Sequence, residues 1–267
     1  MRAAAIQMRS GIDVAANIAA ASELVRAAAA DGARFIATPE MTHLLQRDPT
    51  ALRKDVRTMD EDLGVAAFSN LAAELSIFLL VGSLAILRDD GKIANRSCLF
   101  ASDGTLSAQY DKIHLFEAAL SSTETYREAD SYEAGDTPVT AITDTHLLGL
   151  SICYDLRFPA LYQNYARAEV HMIAAPAAFT VATGKAHWET LLRARAIETG
   201  AYILAPAQGG HHEDGRKTWG RSTIVAPWGE IAAKLDHDAP GFTCAEIEKI
   251  KVANARQRIP AWRGGMR

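Results

Sequence analysis

The amino-acid sequence predicts an α/β protein built as a four-layer α-β-β-α sandwich of two similar halves. Strand-length apolar runs alternate with helix-length amphipathic segments, as they do where helices cover sheets. A strand, a spacer and a hairpin occur twice in the same order, in residues 79–110 and again in residues 202–235. The strands are almost continuously apolar, which indicates that both faces of each sheet are covered. The alternative is a single doubly wound sheet, and the hairpins count against it. We expect one domain over residues 1–267.

In the first half, the helices are predicted from capping residues and apolar spacing. Asp13 is placed to cap a helix that ends at Gly32. A second helix is indicated near Phe68 and Leu75, which lie on one helical face. The apolar runs predict strands at residues 3–8, 34–38, 77–87, 97–101 and 106–110.

In the second half, a strand at residues 146–153 runs into a helix that opens at Pro159. A longer helix is predicted over residues 183–199, with Gly200 as its stop. Residues 118–138 show no periodicity and are expected to form a long loop, which in a compact domain is usually functional. Further strands are predicted at residues 171–175, 201–207, 222–226 and 231–235.

Cys153 ends the strand at residues 146–153, where the chain turns into a helix. A side chain on such a turn is pushed out of the sheet end, and the backbone N–H groups that follow, beginning with that of Tyr154, can face an oxyanion. Cys98 and Cys244 lack this setting. Three cysteines, odd in number and far apart, argue against a disulfide framework and for reduced thiols. Cys153 is therefore the candidate nucleophile.

Two charged residues at other strand ends are candidates to assist Cys153. A thiol is mostly protonated at neutral pH, so a nucleophilic cysteine needs a base or a nearby cation. Glu40 and Lys112 each follow an apolar strand and could converge with the thiol in one cleft. Each of the three residues also has an ordinary explanation. Glu40 could be a solvated loop carboxylate, Lys112 a lysine that snorkels, and Cys153 a small residue that fills the core. Taken singly, these residues do not decide between the two explanations.

Five segments of the sequence favour the functional explanation, because together they resemble a known family. They are TPE at 38–40, YDKIHLF at 110–116, GLSICYDLRFP at 149–159, PAAFTVATGKAHWETLLRARAIE at 176–198 and APWGE at 226–230. Together they resemble the nitrilase, or carbon-nitrogen hydrolase, superfamily over nearly the whole chain. The resemblance implies the four-layer sandwich and a Glu-Lys-Cys triad on Glu40, Lys112 and Cys153. A second active-site glutamate of that superfamily best matches Glu128. TPE departs from the commoner LPE but keeps the glutamate, and the ending AWRGGMR is shorter than the tails that many relatives use at a dimer interface.

The implied chemistry is hydrolysis of an amide through a thioester. Glu40 takes the thiol proton, Cys153 attacks the carbonyl carbon, and Lys112 with the Tyr154 backbone N–H stabilises the oxyanion. Glu40 then passes its proton to the departing ammonia and activates the water that releases the acid. Glu128 is expected to orient Lys112 or the substrate nitrogen. No metal or organic cofactor is required.

The substrate is expected from the branch of the superfamily. The segments RARAIE, AQGGHHEDGR and TWGRSTIVAPWG look most like the Nit branch, whose members hydrolyse the terminal amide of α-keto acids. Deaminated glutathione is the first expectation, α-ketoglutaramate the second and an N-carbamoyl amide the third, ahead of a nitrile. Arg157 is placed to meet a substrate carboxylate or to form a helix-end salt bridge. A catalytically silent scaffold is the alternative of a different class, and the retained polar active-site residues count against it.

Composition bears on partners and location. A net charge of -4 gives no general attraction to nucleic acid or to an anionic membrane, and no apolar run approaches the roughly 20 residues of a membrane span. The N-terminus lacks a secretion signal, so we expect a cytoplasmic protein. Residues 211–214, HHED, resemble a metal cluster, but neighbours in sequence point apart and a polar loop is the better explanation.

The two helices of the second half predict self-association. They carry more apolar side chains than a sheet would cover, and relatives bury the corresponding surface about a two-fold axis. We expect at least a homodimer, with the helices after Cys153 and Thr183 at its centre. The apolar side chains in question are Leu161, Tyr162, Tyr165, Trp188, Leu191 and Leu192.

Overall fold

A computed structural model describes residues 1–119 and 125–264 of the chain, in which two main sheets pack between helices. The α-helices are α1 (Val14–Ala30), α2 (Pro49–Asp55), α3 (Leu63–Leu75), α4 (Pro159–Arg167), α5 (Val181–Thr199) and α6 (Lys249–Arg258). The strands of the first half are β1 (Arg2–Met8), β2 (Phe35–Ala37), β3 (Phe78–Leu87), β4 (Ile93–Phe100), β5 (Leu106–Asp111), β6 (Glu117–Ala119) and β7 (Thr125–Arg127). Those of the second half are β8 (Thr140–Thr143), β9 (His146–Leu150), β10 (Met172–Ala174), β11 (Tyr202–Ala205), β12 (Ala207–His211), β13 (Lys217–Trp219), β14 (Thr223–Val225), β15 (Ile231–Lys234) and β16 (Gly241–Glu246). Short 3-10 helices cover Glu128–Asp130, Cys153–Arg157 and Pro260–Arg263.

The two halves of the chain repeat one strand pattern. In the first sheet β1, β2 and β3 are parallel, and β4 and β5 continue it antiparallel. In the second sheet β9, β10 and β11 are parallel, and β14 and β15 continue it antiparallel. The crossover helices correspond as well, α1 and α3 in the first half and α4 and α5 in the second. The predicted pair of similar halves is confirmed, and the single doubly wound sheet is not what the chain forms.

Alternation along β1 shows how the layers are stacked. Ala3 and Ala5 lie in one buried cluster with Leu148 of the second sheet, whereas Ile6 lies in another cluster with Val25 of α1. Successive side chains of a strand point to opposite faces, so the first sheet has helices on one face and the second sheet on the other. This is the four-layer arrangement that the sequence predicts.

The predicted helix ends are confirmed at their capping groups. The Asp13 side chain accepts a hydrogen bond from the Ala16 backbone N–H at 2.9 Å, which satisfies one of the free donors at the start of α1. In the second half, α5 ends at Gly200, whose φ of +60° places it in the left-handed region that glycine adopts without strain.

The segment predicted as an unpatterned loop contains short regular elements. Within residues 118–138, the described part includes strand β7, which pairs with β6, and the 3-10 helix Glu128–Asp130. The loop prediction was therefore wrong in part, because strands of three residues are too short to show a period. Among the described residues, no helix is both long and apolar enough to span a bilayer.

Candidate active site

The structure brings the four predicted polar side chains to one pocket of about 220 Å³. Glu40 lies three residues after the end of β2, and Lys112 directly follows β5. Cys153 and Glu128 each begin a 3-10 helix. Residues more than a hundred positions apart in the chain meet here because both sheets present strand ends to the same cleft.

The turn at Cys153, the candidate nucleophile, has an unusual backbone, and we call it the nucleophile turn. Cys153 has a φ of +50°, in the left-handed region that few non-glycine residues adopt. Asp155, which is fully buried, holds this turn: its carboxylate accepts hydrogen bonds from the Ile152 backbone N–H at 2.9 Å and from the Tyr110 hydroxyl at 2.7 Å. The same carboxylate accepts from the backbone N–H and Nδ1–H of His114 at 3.0 and 2.7 Å. Asp155 thus ties the nucleophile turn to the segment that carries Lys112.

Lys112 is buried between two carboxylates. Its Nζ donates to Glu40 Oε1 at 2.8 Å and to Glu128 Oε2 at 2.7 Å. Burial by itself would lower the pKa of this ammonium, but Glu128 and Glu40 outweigh burial and raise the pKa well above its ordinary value. Lys112 is therefore a permanent cation of the pocket.

The Cys153 thiol faces the Glu40 carboxylate and the Ala178 backbone N–H. Burial, and after it the negative charge of Glu40, raise the pKa of this thiol well above its ordinary value of 9.0. The resting thiol is therefore protonated. A nucleophilic attack from this state needs a base, and Glu40 is the group in place to accept the proton.

Asn95 is a polar residue of this site that sequence reasoning missed. It is fully buried in β4, and its Nδ2 donates to Glu40 Oε1 at 3.0 Å and to Glu128 Oε1 at 2.8 Å. The available signal was a lone amide inside an apolar strand, IANRSCLF. A buried polar side chain needs partners, but the strand does not indicate which ones.

Tyr154 and Arg157 follow Cys153 closely in the chain, and both line the same pocket. The Tyr154 hydroxyl donates to the Glu117 backbone carbonyl at 3.2 Å, and its backbone N–H directly follows Cys153. The Arg157 guanidinium lies over the rings of Phe179 and Tyr154 at 5.2 and 5.8 Å, and its Nη1 donates to His187 Nδ1 at 3.3 Å. These contacts contain no carboxylate, so the described part of the chain does not form the helix-end salt bridge. Arg157 lines the pocket with its charge unpaired there.

The lining of the pocket is more cationic than the protein as a whole. Six described lining residues carry positive charge and three carry carboxylates, although the chain has a net charge of -4. Such a cleft attracts anions. The cations are Arg47, Lys112, Arg127, Arg157, Arg216 and Lys217, and the carboxylates are Glu40, Glu128 and Asp130.

The histidine-rich turn at residues 211–214 is engaged in hydrogen bonds. His212 Nδ1–H donates to the Ser10 backbone carbonyl at 2.8 Å, and its Nε2 accepts from the Thr218 hydroxyl at 2.7 Å. The Asp214 carboxylate accepts from Arg216 Nε at 2.6 Å. Across residues 1–119 and 125–264, no group of three or more metal-ligating side chains is assembled.

A buried cysteine lies beside a lysine and two glutamates in a cleft of a four-layer α-β-β-α sandwich, and this fold and site are those of a carbon-nitrogen hydrolase. Residues 2–257 match the carbon-nitrogen hydrolase family, and the chain belongs to that family.

Similar proteins from several organisms cover almost the whole chain. A deaminated glutathione amidase from Synechocystis sp. (strain PCC 6803 / GT-S) is 36% identical over 97% of this chain and 96% of its own length. The human omega-amidase NIT2 is 34% identical over 98% of this chain and 94% of its own. The crystal structure of Saccharomyces cerevisiae Nit3 superposes with a TM-score of 0.88 at 27% identity, covering 97% of this chain and 94% of that one. The Nit-branch resemblance is thereby confirmed.

Proposed function

We propose that this protein hydrolyses the terminal amide of a small carboxylated substrate and releases ammonia through a thioester on Cys153. One observation supports this above the others: a buried thiol faces Glu40, which is itself paired with a buried lysine. This arrangement holds a nucleophile, a proton acceptor and a fixed cation around one point in a cleft.

In acylation, Glu40 accepts the Cys153 proton as the sulfur attacks the amide carbon, so an S–C bond forms and the carbonyl electrons move to oxygen. Lys112 has three N–H groups, two of which the glutamates accept. The third, together with the Tyr154 backbone N–H, is available to the new oxyanion. In other acyl-transfer sites one such donor is worth about 3–4 kcal/mol of transition-state stabilisation.

Collapse of the tetrahedral intermediate breaks the C–N bond. Glu40 returns its proton to the nitrogen, and ammonia departs. Glu40 then removes a proton from an entering water, the hydroxide attacks the thioester, and the acid leaves as the thiol is restored. Throughout this cycle Glu128 holds Lys112 in place through its own hydrogen bond to the ammonium.

For the substrate, we propose deaminated glutathione first and α-ketoglutaramate second, followed by an N-carbamoyl amide and then a nitrile. The order rests on the relatives, one named deaminated glutathione amidase and another omega-amidase. The cationic lining supports a carboxylated molecule, and we assign Arg157 to its carboxylate because the guanidinium faces aromatic rings and a histidine rather than an acid.

We also propose that the protein works in the cytoplasm as a homodimer or larger homo-oligomer, without a metal, an organic cofactor, nucleic acid or a membrane. A thiol nucleophile needs a reducing compartment, and all three cysteines are unpaired.

The test is ammonia release from a panel of deaminated glutathione, α-ketoglutaramate, N-carbamoyl amino acids and nitriles. Cys153→Ala should abolish release by at least 10³-fold while the protein stays folded. Cys98→Ala and Cys244→Ala are the matched controls and should keep most of the activity. Near-normal turnover by Cys153→Ala would overturn the proposal, and so would a scaffold-like lack of turnover on every amide.

A further inference from the structure

We propose that Asn95 is a positioning residue that selects which oxygen of Glu40 receives the thiol proton. Its amide closes a ring of four side chains, in which Lys112 and Asn95 each donate to both Glu40 and Glu128. Asn95 does not line the pocket, so it acts through the two glutamates and not on the substrate.

The selection follows from counting lone pairs on Glu40. A carboxylate oxygen accepts about two hydrogen bonds. Oε1 already accepts from Lys112 Nζ at 2.8 Å and from Asn95 Nδ2 at 3.0 Å, so both of its positions are taken. Within residues 1–119 and 125–264, Oε2 accepts only from the Ala178 backbone N–H, at 2.9 Å, which leaves one position open. The proton of Cys153 therefore goes to Oε2.

The same amide fixes the second glutamate. Glu128 Oε1 accepts from Asn95 at 2.8 Å, while Oε2 accepts from Lys112 at 2.7 Å and from the Phe116 backbone N–H at 2.7 Å. With one carboxylate held on each side, two hydrogens of the Lys112 ammonium have assigned acceptors. The third is then directed to the cleft rather than shared among moving partners.

An amide is the side chain that this position requires. A neutral NH₂ donates twice from one atom, whereas an aspartate at the same place would set a third carboxylate against two others and donate nothing in its ionised form. The carbonyl oxygen of the Asn95 amide, Oδ1, is buried and accepts no hydrogen bond within the described chain. The side chain is thus satisfied only toward the glutamates.

The experiment measures the rate at which iodoacetamide alkylates Cys153. Mass spectrometry follows the peptide that contains this residue. Alkylation forms an S–C bond, iodide leaves, and the thiol proton passes to Glu40, so the rate depends on an available Oε2. The rate is measured from pH 5 to 9 on wild type, Asn95→Asp, Asn95→Ala and the control Asn17→Ala. Asn17 is also a buried amide that donates twice, but its acceptors are the backbone carbonyls of Gly11 and His43.

In Asn95→Asp the extra carboxylate should keep a proton on the glutamate pair. We expect at least ten-fold slower alkylation at pH 7 and a profile displaced by at least one pH unit to the alkaline side. Asn95→Ala, which adds no charge, should lower kcat for amide hydrolysis at least ten-fold with KM changed less than two-fold. Asn17→Ala should keep the wild-type profile.

Profiles of both Asn95 variants that superimpose on wild type would overturn the proposal, and so would a raised KM with unchanged kcat. The inference rests on the proposed function only for the amide assay. A displaced alkylation profile supports the role of Asn95 even if no amide in the panel is hydrolysed, and in that case the proposed substrate class is what fails.

Discussion

The position of the Lys112 ammonium between two carboxylates leads to a prediction about catalysis. This ammonium is the only buried cation between Glu40 and Glu128 in the described structure, and in the proposed mechanism its third N–H stabilises the charge that develops on the substrate oxygen. We expect Lys112→Met to lower kcat by about 10²–10³ with little change in KM, since the interaction arises mainly in the transition state. Steady-state kinetics on the best amide of the panel provide the measurement.

Lys112→Arg separates charge from shape. A planar guanidinium keeps the positive charge but cannot place its donors where a compact ammonium does, so this variant should also lose most of its activity. If either substitution weakened binding alone and left kcat intact, Lys112 would be a substrate clamp and not a stabiliser of the oxyanion.

For individual residues, the sequence indicates the candidate catalytic side chains better than the side chains that position them. Glu40 and Lys112 stand out as charges after apolar strands, and the resemblance selects them. Asn95 lies 55 and 33 positions from the two glutamates that it contacts, and nothing local to its strand indicates such partners. Asp155 shows the same limit, since its partner Tyr110 is 45 positions away. Long-range pairing is a property of the fold and not of any sequence window.

Among the elements, apolar content decides what could be predicted. Strands β3, β9 and β11 are apolar along most of their length and were found. In contrast, α6 buries only Val252 and Ala255, and most of β16 is half-exposed, so neither shows a clear period in the sequence. The short elements α2, β8 and β13 were also missed, since three to seven residues give too few positions for a pattern.

Three histidines, of which His146 and His212 are buried and His171 is half-buried, make the stability of the fold depend on pH. Burial lowers the pKa of His146 in β9, of His171 before β10 and of His212 after β12. In the unfolded chain these groups bind a proton near pH 6.5, while in the folded chain they resist it. The unfolded state therefore binds more protons below about pH 6.5, and the free energy of unfolding should fall as the pH is lowered through that value.

Thermal melting between pH 8 and pH 5 measures this response. His212→Asn keeps an N–H to donate toward the Ser10 carbonyl but cannot titrate, so its melting temperature should fall less than that of wild type over the same range. Parallel melting curves for the two proteins would show that His212 does not contribute.

For the molecule as a whole, the site depends on the packing of one half against the other. Glu40, Lys112 and Glu128 come from the first half, whereas Cys153 and the Ala178 N–H come from the second. A large buried cluster contains side chains from both sheets, so loss of packing between the sheets would separate Glu40 from Cys153. That residues 1–267 form one domain stays a prediction, and this shared core supports it.

Most apolar side chains of the two helices expected at the dimer centre, α4 and α5, are buried within the chain itself. Of the six apolar side chains on these helices, some of which were expected to pack on the sheet and others to remain exposed, Leu191 is partly exposed and five are buried: Leu161, Tyr162, Tyr165, Trp188 and Leu192. Ile197 near the end of α5, Trp228 and Ile259 are each about half exposed. Gly229, next to Trp228, lies against Ile197, and Arg258, next to Ile259, lies over the Trp228 ring at 5.6 Å. We call Ile197, Trp228 and Ile259 the Trp228 patch.

The Trp228 patch is connected to the nucleophile by α5. Within that helix Arg195 Nε donates to the Leu156 carbonyl at 3.0 Å, which holds the 3-10 helix that begins at Cys153. A second copy that covers the patch would restrain α5 and, through it, the nucleophile turn. This extends the proposed homodimer to a coupling between assembly and activity.

If the proposed homodimer forms through the Trp228 patch, Trp228→Asp should convert it to a monomer and lower activity per chain, because a carboxylate buried in an apolar contact opposes association. Light scattering at micromolar concentration, combined with turnover on the same samples, measures both effects. Ile142→Asp is the matched control: Ile142 is 67% exposed on β8, outside the patch, and its replacement should leave assembly and activity unchanged. A wild-type protein that is fully active as a monomer would contradict the prediction, as would a two-fold interface that excludes α5.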